Sequence, residues 1–239
     1  MKHLSNCGVT PLDLIARLKH SGKTSLINAL LRGPYREQTV SVFTNEIGNA
    51  DYAENAQVHT VLGGCICCTA QAALIAEIRN ALRLEAPDHL IVELSGQGTI
   101  RDLLSIRSFL PDCQIHQLIY VLNARKFQSL ATVMGSGYSG QIQASPVLFL
   151  NHWATLSPVE QEAVRAQLHQ WNPVARLLTD FGEIYPETNH ALCRSFLSAS
   201  AEPDLSADLP RHTAFRSRPA AGASTEMKAF FREKASRQI

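Results

Sequence analysis

A Gly-Lys-Thr triplet between a predicted strand and a predicted helix constrains the fold of this chain more than any other feature. Residues 12–18 form a short apolar run that is typical of a β-strand. Ser21-Gly22-Lys23-Thr24-Ser25 follows, and residues 26–31 fit one face of a helix that Gly33-Pro34 ends. In such a unit, backbone N–H groups at the helix N-terminus hold phosphate oxygens. We therefore predict a phosphate-binding loop in which Lys23 reaches the β- and γ-phosphates and Thr24 binds Mg²⁺.

Two residues depart from the usual pattern of a phosphate-binding loop. Arg17 stands where a glycine is expected, five residues before Gly22, and His20 stands where small residues are common. Both bring bulk to a place where the backbone has to approach the phosphate closely. The alternative interpretation is an ordinary strand–turn–helix unit with an incidental Gly-Lys-Thr.

Strand-like and helix-like segments alternate up to about residue 180. Besides residues 12–18, strands are predicted at residues 39–44, 57–62, 88–96, 117–123, 146–151 and 173–178. Helices are predicted at residues 70–84, 100–110 and 157–171, while the glycine-rich residues 135–140 predict a flexible loop. Such alternation predicts an α/β fold with a mainly parallel sheet and helices on both faces.

Three cysteines fall within four residues in the segment Gly64-Cys65-Ile66-Cys67-Cys68. Thiolates are soft ligands that select Zn²⁺, Cu⁺ and similar ions, and the glycines allow a tight turn that aims neighbouring side chains at one centre. Two other interpretations remain: cysteines that pack as small apolar groups, and a redox sensor in which Cys65 and Cys68 pair.

Carboxylates follow two of the predicted strands. Glu46 and Asp51 come after the second strand, and Glu93 lies near the end of a buried-type strand. The carboxyl ends of parallel strands are where ligands bind in open α/β sheets. A Mg²⁺-linked water and a hydrogen bond within the core are the two explanations for Glu93.

Composition excludes some classes of function. The formal net charge of the 239-residue chain is +1, which argues against nucleic acid as a main partner. The sequence contains no apolar run of about 18 residues, which predicts no membrane span. The N-terminus lacks the apolar core of a secretion signal, so we expect a cytoplasmic chain with reduced thiols.

Proline and glycine punctuate the C-terminal part of the chain. Pro203, Pro210 and Pro219 precede Ala220-Ala221-Gly222, which is typical of a linker, and residues 226–237 are compatible with a short helix. We predict one domain over residues 1–200 and a linker with a short helix or tail over residues 201–239.

The chain resembles the CobW family of metal-chaperone P-loop GTPases, which are kin to the UreG and HypB nickel-insertion proteins. The resemblance covers roughly residues 10–180, and its most specific element is the Gly-Cys-x-Cys-Cys loop. The motifs that carry it are Ser21-Gly22-Lys23-Thr24, Asn45-Glu46-Ile47-Gly48, Gly64-Cys65-Ile66-Cys67-Cys68-Thr69, Glu93-Leu94-Ser95-Gly96 and Asn151.

The resemblance implies a P-loop NTPase-like fold that binds GTP and Mg²⁺ and handles a transition metal such as zinc or cobalt. Cys65, Cys67 and Cys68 would carry that metal, and Glu46 and Glu93 would sense Mg²⁺ and the γ-phosphate and position the attacking water. It also implies a client metalloprotein as partner, weak GTP hydrolysis, and a homodimer as one assembly.

The segment that reads guanine in the family departs from its pattern. Asn-Lys-x-Asp appears here as Asn151-His152-Trp153-Ala154, so the aspartate that accepts hydrogen bonds from guanine is an alanine. Asn123 likewise stands where an aspartate is expected at the end of the preceding strand. The second hypothesis is therefore an inactive former GTPase that acts as a metal-binding or partner-binding module.

The spacing of His190 and Cys193 predicts core packing rather than a second metal site. His190 and Cys193 are spaced like two ligands on one helical turn, but no second pair lies nearby in the sequence. The same interpretation holds for Cys7 and Cys113. His3, His20 and His152 would join a metal site only if the fold brought them together.

Overall fold

Seven strands form one parallel sheet in a computed structural model of the chain, which describes residues 9–17, 21–44, 51–61, 70–93, 100, 104, 106–184 and 186–199. The sheet order is β3-β2-β4-β1-β5-β6-β7, and every pair of neighbours is parallel. The strands are β1 (Thr10–Arg17), β2 (Val40–Thr44), β3 (Ala56–Thr60), β4 (His89–Glu93), β5 (Cys113–Asn123), β6 (Val147–Asn151) and β7 (Arg176–Leu178). The predicted α/β fold is confirmed.

Helices cover the two faces of the sheet and complete two separate cores. They are α1 (Lys23–Arg32), α2 (Ala70–Leu84), α3 (Phe127–Met134), α4 (Ser136–Gln143), α5 (Pro158–Trp171) and α6 (Pro186–Ala199). Alternate residues of β1 point to opposite faces. Leu14 therefore packs in the core that contains Ile78 of α2, whereas Ile15 packs with Leu26 and Leu30 of α1.

Strand β1 lies at the point where the strand order reverses. Its neighbours are β4 on one side and β5 on the other, and the chain that follows β1 reaches the sheet again at β2. In open α/β sheets, ligands bind outside the carboxyl ends of the strands at such a switch point. The Gly-Lys-Thr triplet follows β1 and therefore lies at this place.

Strand β5 begins earlier than predicted and contains a bulge. It starts at Cys113, and its register against β1 shifts between Leu12, which faces Ile115, and Asp13, which faces Gln117. His116 is therefore the extra residue of the bulge. The bulge interrupts the alternation of apolar residues, which explains why the pattern failed to show these first residues of the strand.

The loop predicted at residues 135–140 is wrong, because these residues enter helix α4. Gly135 has a φ of 51° and forms the break between α3 and α4. Tyr138 and Ile142 are buried, and the ring of Tyr138 packs against Phe127. Burial of these two side chains outweighs the low helix propensity of the glycines, since most helical stability in proteins comes from tertiary packing.

One predicted helix is found only in part, and another helix was not predicted. Residues 100, 104 and 106 are helical and lead to a 3-10 turn over Arg107–Phe109. The sequence pattern did not predict helix α6.

Residues 201–239 lie outside the described residues, so the domain boundary at residue 200 stays a prediction. Among the helices that the structure describes, none has the length and apolarity needed to cross a bilayer.

The core interpretation of Cys113 and Cys193 is confirmed, because both are buried free thiols. The Cys193 Sγ accepts a hydrogen bond from the Leu118 N–H at 3.1 Å. Burial raises the pKa of Cys113 to about 11, with a smaller contribution from the charge of Asp112. Burial also raises the pKa of Cys193 to about 12. Cys7 lies outside the described residues.

These two thiols are therefore expected to resist alkylation in the native protein. Iodoacetamide at neutral pH should leave Cys113 and Cys193 unmodified, since the thiolate is the nucleophile and burial suppresses it. Peptide mass spectrometry measures the labelled fraction of each cysteine, and the urea-unfolded chain is the control. Equal labelling rates in the folded and unfolded chain would contradict the burial.

Candidate nucleotide site at the carboxyl edge of the sheet

The turn between β1 and α1 depends on Gly22. Its φ of 91° and ψ of 30° lie in the left-handed region, which glycine adopts at no steric cost. A Cβ at this position would lie 1.8 Å from Nδ2 of Asn151, so a larger residue cannot be accommodated without moving that side chain. Gly22 thus allows β6 to approach the turn closely.

Asn151 joins the end of β6 to this turn. Its Nδ2 donates a hydrogen bond to the Ser21 carbonyl oxygen at 2.9 Å, and its Oδ1 accepts one from the His152 N–H at 2.9 Å. The side chain thereby fixes the backbone that precedes α1. Contact between Asn151 and a nucleotide stays a prediction.

Lys23 and Glu93 form a buried ion pair between the start of α1 and the end of β4. The Lys23 Nζ contacts the Glu93 Oε1, and the two side chains are 3% and 1% exposed. The Tyr52 hydroxyl donates a hydrogen bond to the Glu93 Oε2 at 2.8 Å. Each charge compensates the other, as buried charges require. A Mg²⁺-linked water and a hydrogen bond within the core were the two explanations for Glu93. In the structure its partners are the Lys23 ammonium and the Tyr52 hydroxyl.

The hydroxyl groups around the helix start differ in their surroundings. Ser21 is buried, and its Oγ has no hydrogen-bond partner among the described residues. Thr24 is half-buried and Ser25 is exposed. A buried hydroxyl without a partner beside a helix N-terminus fits a ligand rich in oxygen acceptors, such as a phosphate. His20 lies outside the described residues, and Arg17 ends β1.

Helix α1 also positions the segment that carries Tyr52. The Asn28 Nδ2 donates to the Asp51 carbonyl oxygen at 2.8 Å, and the Asn28 Oδ1 accepts from the Ala53 N–H at 2.9 Å. These two bonds hold the residues on either side of Tyr52. The pattern gave no signal for Tyr52, because its role depends on a tertiary contact with a residue far away in the sequence. The Asp51 side chain is exposed.

The turn after β6 presents no carboxylate where the family has one. His152 has a φ of 62° and is exposed, and a 3-10 turn over Trp153–Thr155 follows. Trp153 is buried, with the Arg165 guanidinium 4.9 Å from its ring centroid, whereas Ala154 is exposed. Asn123 pairs in register with Asn151 on the neighbouring strand.

The other predicted site residues lie outside the described residues. These are Glu46 and the thiolate ligands Cys65, Cys67 and Cys68. The flanking elements are described: β2 ends at Thr44, β3 ends at Thr60 and α2 begins at Ala70. The roles of these four residues stay predictions.

Curated proteins similar to this chain include zinc-related chaperones and GTPases. The chain is 25% identical over 166 residues to the zinc chaperone YeiR of Escherichia coli K12, covering 66% of this chain and 51% of YeiR. It is 23% identical over 225 residues to the zinc-regulated GTPase metalloprotein activator 1 of Dictyostelium discoideum, covering 74% of this chain and 46% of that protein. The chain thus spans about half the length of the curated relatives it matches.

Solved structures share the fold. The Zn(II)-bound YjiA GTPase from E. coli matches with a TM-score of 0.55 at 15% identity, over 76% of this chain and 62% of YjiA. The hydrogenase maturation factor HypB from Archaeoglobus fulgidus matches with a TM-score of 0.50 at 14% identity, over 81% of this chain and 90% of HypB. At these identities the likeness supports the fold alone.

A family model described as the CobW/HypB/UreG nucleotide-binding domain matches residues 18–179. The match includes the turn at Gly22, the ion pair of Lys23 with Glu93, and Asn151. Because the match spans well over half of the sequence, the chain belongs to the CobW/HypB/UreG family.

Proposed function

We propose that this protein is a nucleotide-regulated metal chaperone. It binds GTP with Mg²⁺ at Ser21–Ser25, carries a transition metal such as zinc or cobalt on Cys65, Cys67 and Cys68, and delivers it to a client metalloprotein. The observation that carries the proposal is the buried contact of Lys23 with Glu93, whose other carboxylate oxygen accepts a hydrogen bond from Tyr52. Family membership and the zinc chaperone among the relatives support it.

The residues at the start of α1 supply the phosphate contacts. The Ser21 hydroxyl and backbone N–H groups of the first helical turn donate hydrogen bonds to phosphate oxygens. Lys23 contacts the β- and γ-phosphates, and the Thr24 hydroxyl holds Mg²⁺. Ser25 follows Thr24, and its exposed side chain completes the proposed phosphate-binding segment. Mg²⁺, when bound there, would neutralise the negative charge that develops on the phosphate oxygens.

Lys23 links the phosphates to the metal loop. A triphosphate carries more negative charge than one carboxylate, so it draws Lys23 away from Glu93. Glu93 is then free to position a water for hydrolysis, with Glu46 as the second candidate for that role. As Glu93 turns toward this water, the hydrogen bond that it accepts from the Tyr52 hydroxyl changes. Tyr52 lies in the segment that leads into β3 and from there to the cysteine loop.

The cysteine loop holds the metal in a form that a client can take. Three thiolates bind a soft or borderline ion and leave one coordination position for a water or a client residue. Hydrolysis removes the γ-phosphate and Lys23 returns to Glu93. The original hydrogen bond between Tyr52 and Glu93 then forms again. The loop is then released from the conformation that favours metal binding.

The second candidate function is a metal-binding or partner-binding module without GTP turnover. The exposed Ala154 favours this function, because no carboxylate at that position accepts hydrogen bonds from guanine. In this case, zinc binding disappears in Cys65→Ser or Cys67→Ser and does not respond to Lys23→Ala.

Restoring the missing carboxylate should restore base selection. Ala154→Asp is expected to tighten GTP binding by about tenfold or more and to leave ATP binding unchanged, because a hydrogen bond to a charged group contributes about 1.5–3 kcal/mol. Isothermal titration calorimetry with Mg²⁺ measures both affinities. Ala166→Asp, which adds the same charge at an exposed position of α5, is the matched control. An unchanged ratio of GTP to ATP affinity in Ala154→Asp would contradict the assigned base site.

The coupling of nucleotide to metal is tested with Co²⁺ as a probe of the cysteine loop. The thiolate-to-Co²⁺ charge-transfer absorbance reports this site, and GTP with Mg²⁺ should change its affinity by about fivefold or more, a typical coupling between two sites. Tyr52→Phe should retain GTP binding and lose most of this change. Lys23→Ala should lose GTP binding and the change together.

The control for Tyr52→Phe is Tyr138→Phe, because the buried Tyr138 hydroxyl has no hydrogen-bond partner among the residues described. This variant should behave like the parent protein. A Co²⁺ affinity that ignores GTP in the parent would favour the metal-binding module. A full response to GTP in Tyr52→Phe would exclude Tyr52 as the link.

A further inference from the structure

A second group of metal-type side chains lies toward the amino ends of the strands, away from the contact of Lys23 with Glu93. Asp13 lies in β1, His89 is the first residue of β4, and His116 lies near the start of β5. Glu93 is the last residue of β4, so His89 and the contact of Lys23 with Glu93 lie at opposite ends of the same strand. The side chains of Asp13, His89 and His116 are 0%, 2% and 12% exposed.

Three ligand-type atoms converge in this group. The His89 Nε2 lies 3.1 Å and the His116 Nδ1 lies 3.4 Å from the Asp13 Oδ1. The three atoms face one another at these distances, and no other described residue forms a hydrogen bond with any of them. A tetrahedral Zn²⁺ with bonds of about 2.0–2.1 Å places its ligand atoms about 3.3 Å apart. The two distances to the Asp13 Oδ1 match that spacing.

The other oxygen of Asp13 is held by two donors. Its Oδ2 accepts hydrogen bonds from the Tyr35 hydroxyl at 2.7 Å and from the Gln117 Nε2 at 2.8 Å. The Asn189 Nδ2 donates to the Gln117 Oε1 at 2.7 Å and fixes that amide. Such outer contacts orient the ligands of metal sites, and here they turn Oδ1 toward the two imidazoles.

The bulge in β5 brings His116 to the same place. Asp13 and Gln117 pair in register and share a face of the sheet, and regular alternation would send His116 to the opposite face. Since His116 is the extra residue of the bulge, its ring can turn toward Asp13. Bulges often re-aim a side chain next to a functional site.

A route of further ligands leads from this group to the surface. The ring of the half-buried His190 lies 4.8 Å from that of His116, between centroids. The exposed Glu187 has its Oε1 3.9 Å from the His116 Nε2. His116, Glu187 and His190 each offer a ligand atom within 4.8 Å of the others. His190 therefore faces His116, whereas Cys193, one helical turn further along, packs in the core.

We propose that Asp13, His89 and His116 bind a divalent transition metal of the Zn²⁺ type, independently of the cysteine loop. Two imidazoles and one carboxylate are a common ligand set for zinc, and they leave one position for water. The dication compensates the charge of the buried Asp13 carboxylate. Glu187 and His190 form the access route from solvent.

The test uses the full chain with Cys65, Cys67 and Cys68 changed to serine, titrated with Co²⁺. We expect one Co²⁺ per chain, with visible d–d absorbance and without thiolate charge-transfer absorbance. His116→Gln in this background should weaken Co²⁺ binding by about tenfold or more, since loss of even an outer-shell partner costs 10- to 100-fold. No Co²⁺ uptake by the triple-serine chain would overturn the proposal.

The matched control is His59→Gln in the same background. His59 has its Nε2 3.1 Å from the Glu85 Oε2, which is a histidine–carboxylate pair outside the two metal-type groups found among the described residues. This variant should bind Co²⁺ like the triple-serine parent. Equal affinity in His116→Gln, His89→Gln and His59→Gln would also overturn the proposal.

A measurement on the Zn²⁺-loaded triple-serine chain avoids the risk that a buried variant fails to fold. Zinc K-edge X-ray absorption should show the outer-shell scattering of about two imidazoles and a first shell of nitrogen and oxygen. A spectrum without imidazole scattering would contradict the site. Because the loop cysteines are serines in this chain, either result leaves the chaperone proposal to its own test.

Discussion

Lys23 and Glu93 are both removed from solvent at the carboxyl edge of the sheet, and each compensates the charge of the other. Removing one partner of such a pair costs about 3–5 kcal/mol, because the remaining charge stays buried. A ligand that takes Lys23 must therefore supply equivalent negative charge and also change the surroundings of Glu93. In the proposed mechanism this requirement makes the pair a sensor of phosphate, and the hydrogen bond from Tyr52 to Glu93 connects the pair to the segment before β3.

The two proposed metal sites would offer different chemistry. In the proposed chaperone the cysteine segment after β3 supplies soft thiolates, whereas Asp13, His89 and His116 supply nitrogen and oxygen from three strands. Sites of these two types differ in their response to oxidation, since only thiolates form disulfides or sulfenic acids. A chain with both would keep one metal when its loop is oxidised. The central strand β1 contains Asp13 and leads into the turn at Gly22.

Much of the fold followed from the sequence, because alternating apolar patterns and turn residues act locally. The seven strands and the helix after Gly-Lys-Thr were predicted with errors only at their ends. The glycine-rich helix α4 was missed because packing of Tyr138 overrides propensity, and the start of β5 was missed because its bulge breaks the alternation. Tyr52 and the Asp13 group were invisible for another reason: their members meet only after the sheet forms, and no local pattern marks them.

The most direct test of the account is hydrogen–deuterium exchange over residues 51–61, with and without a non-hydrolysable GTP analogue and Mg²⁺. If the phosphates draw Lys23 from Glu93, the hydrogen bond that Glu93 accepts from Tyr52 changes, and amide exchange in this segment should change when the analogue binds. Calorimetry on the same sample establishes that the analogue is bound. Unchanged exchange over residues 51–61 in a saturated sample would contradict the link between nucleotide and metal loop.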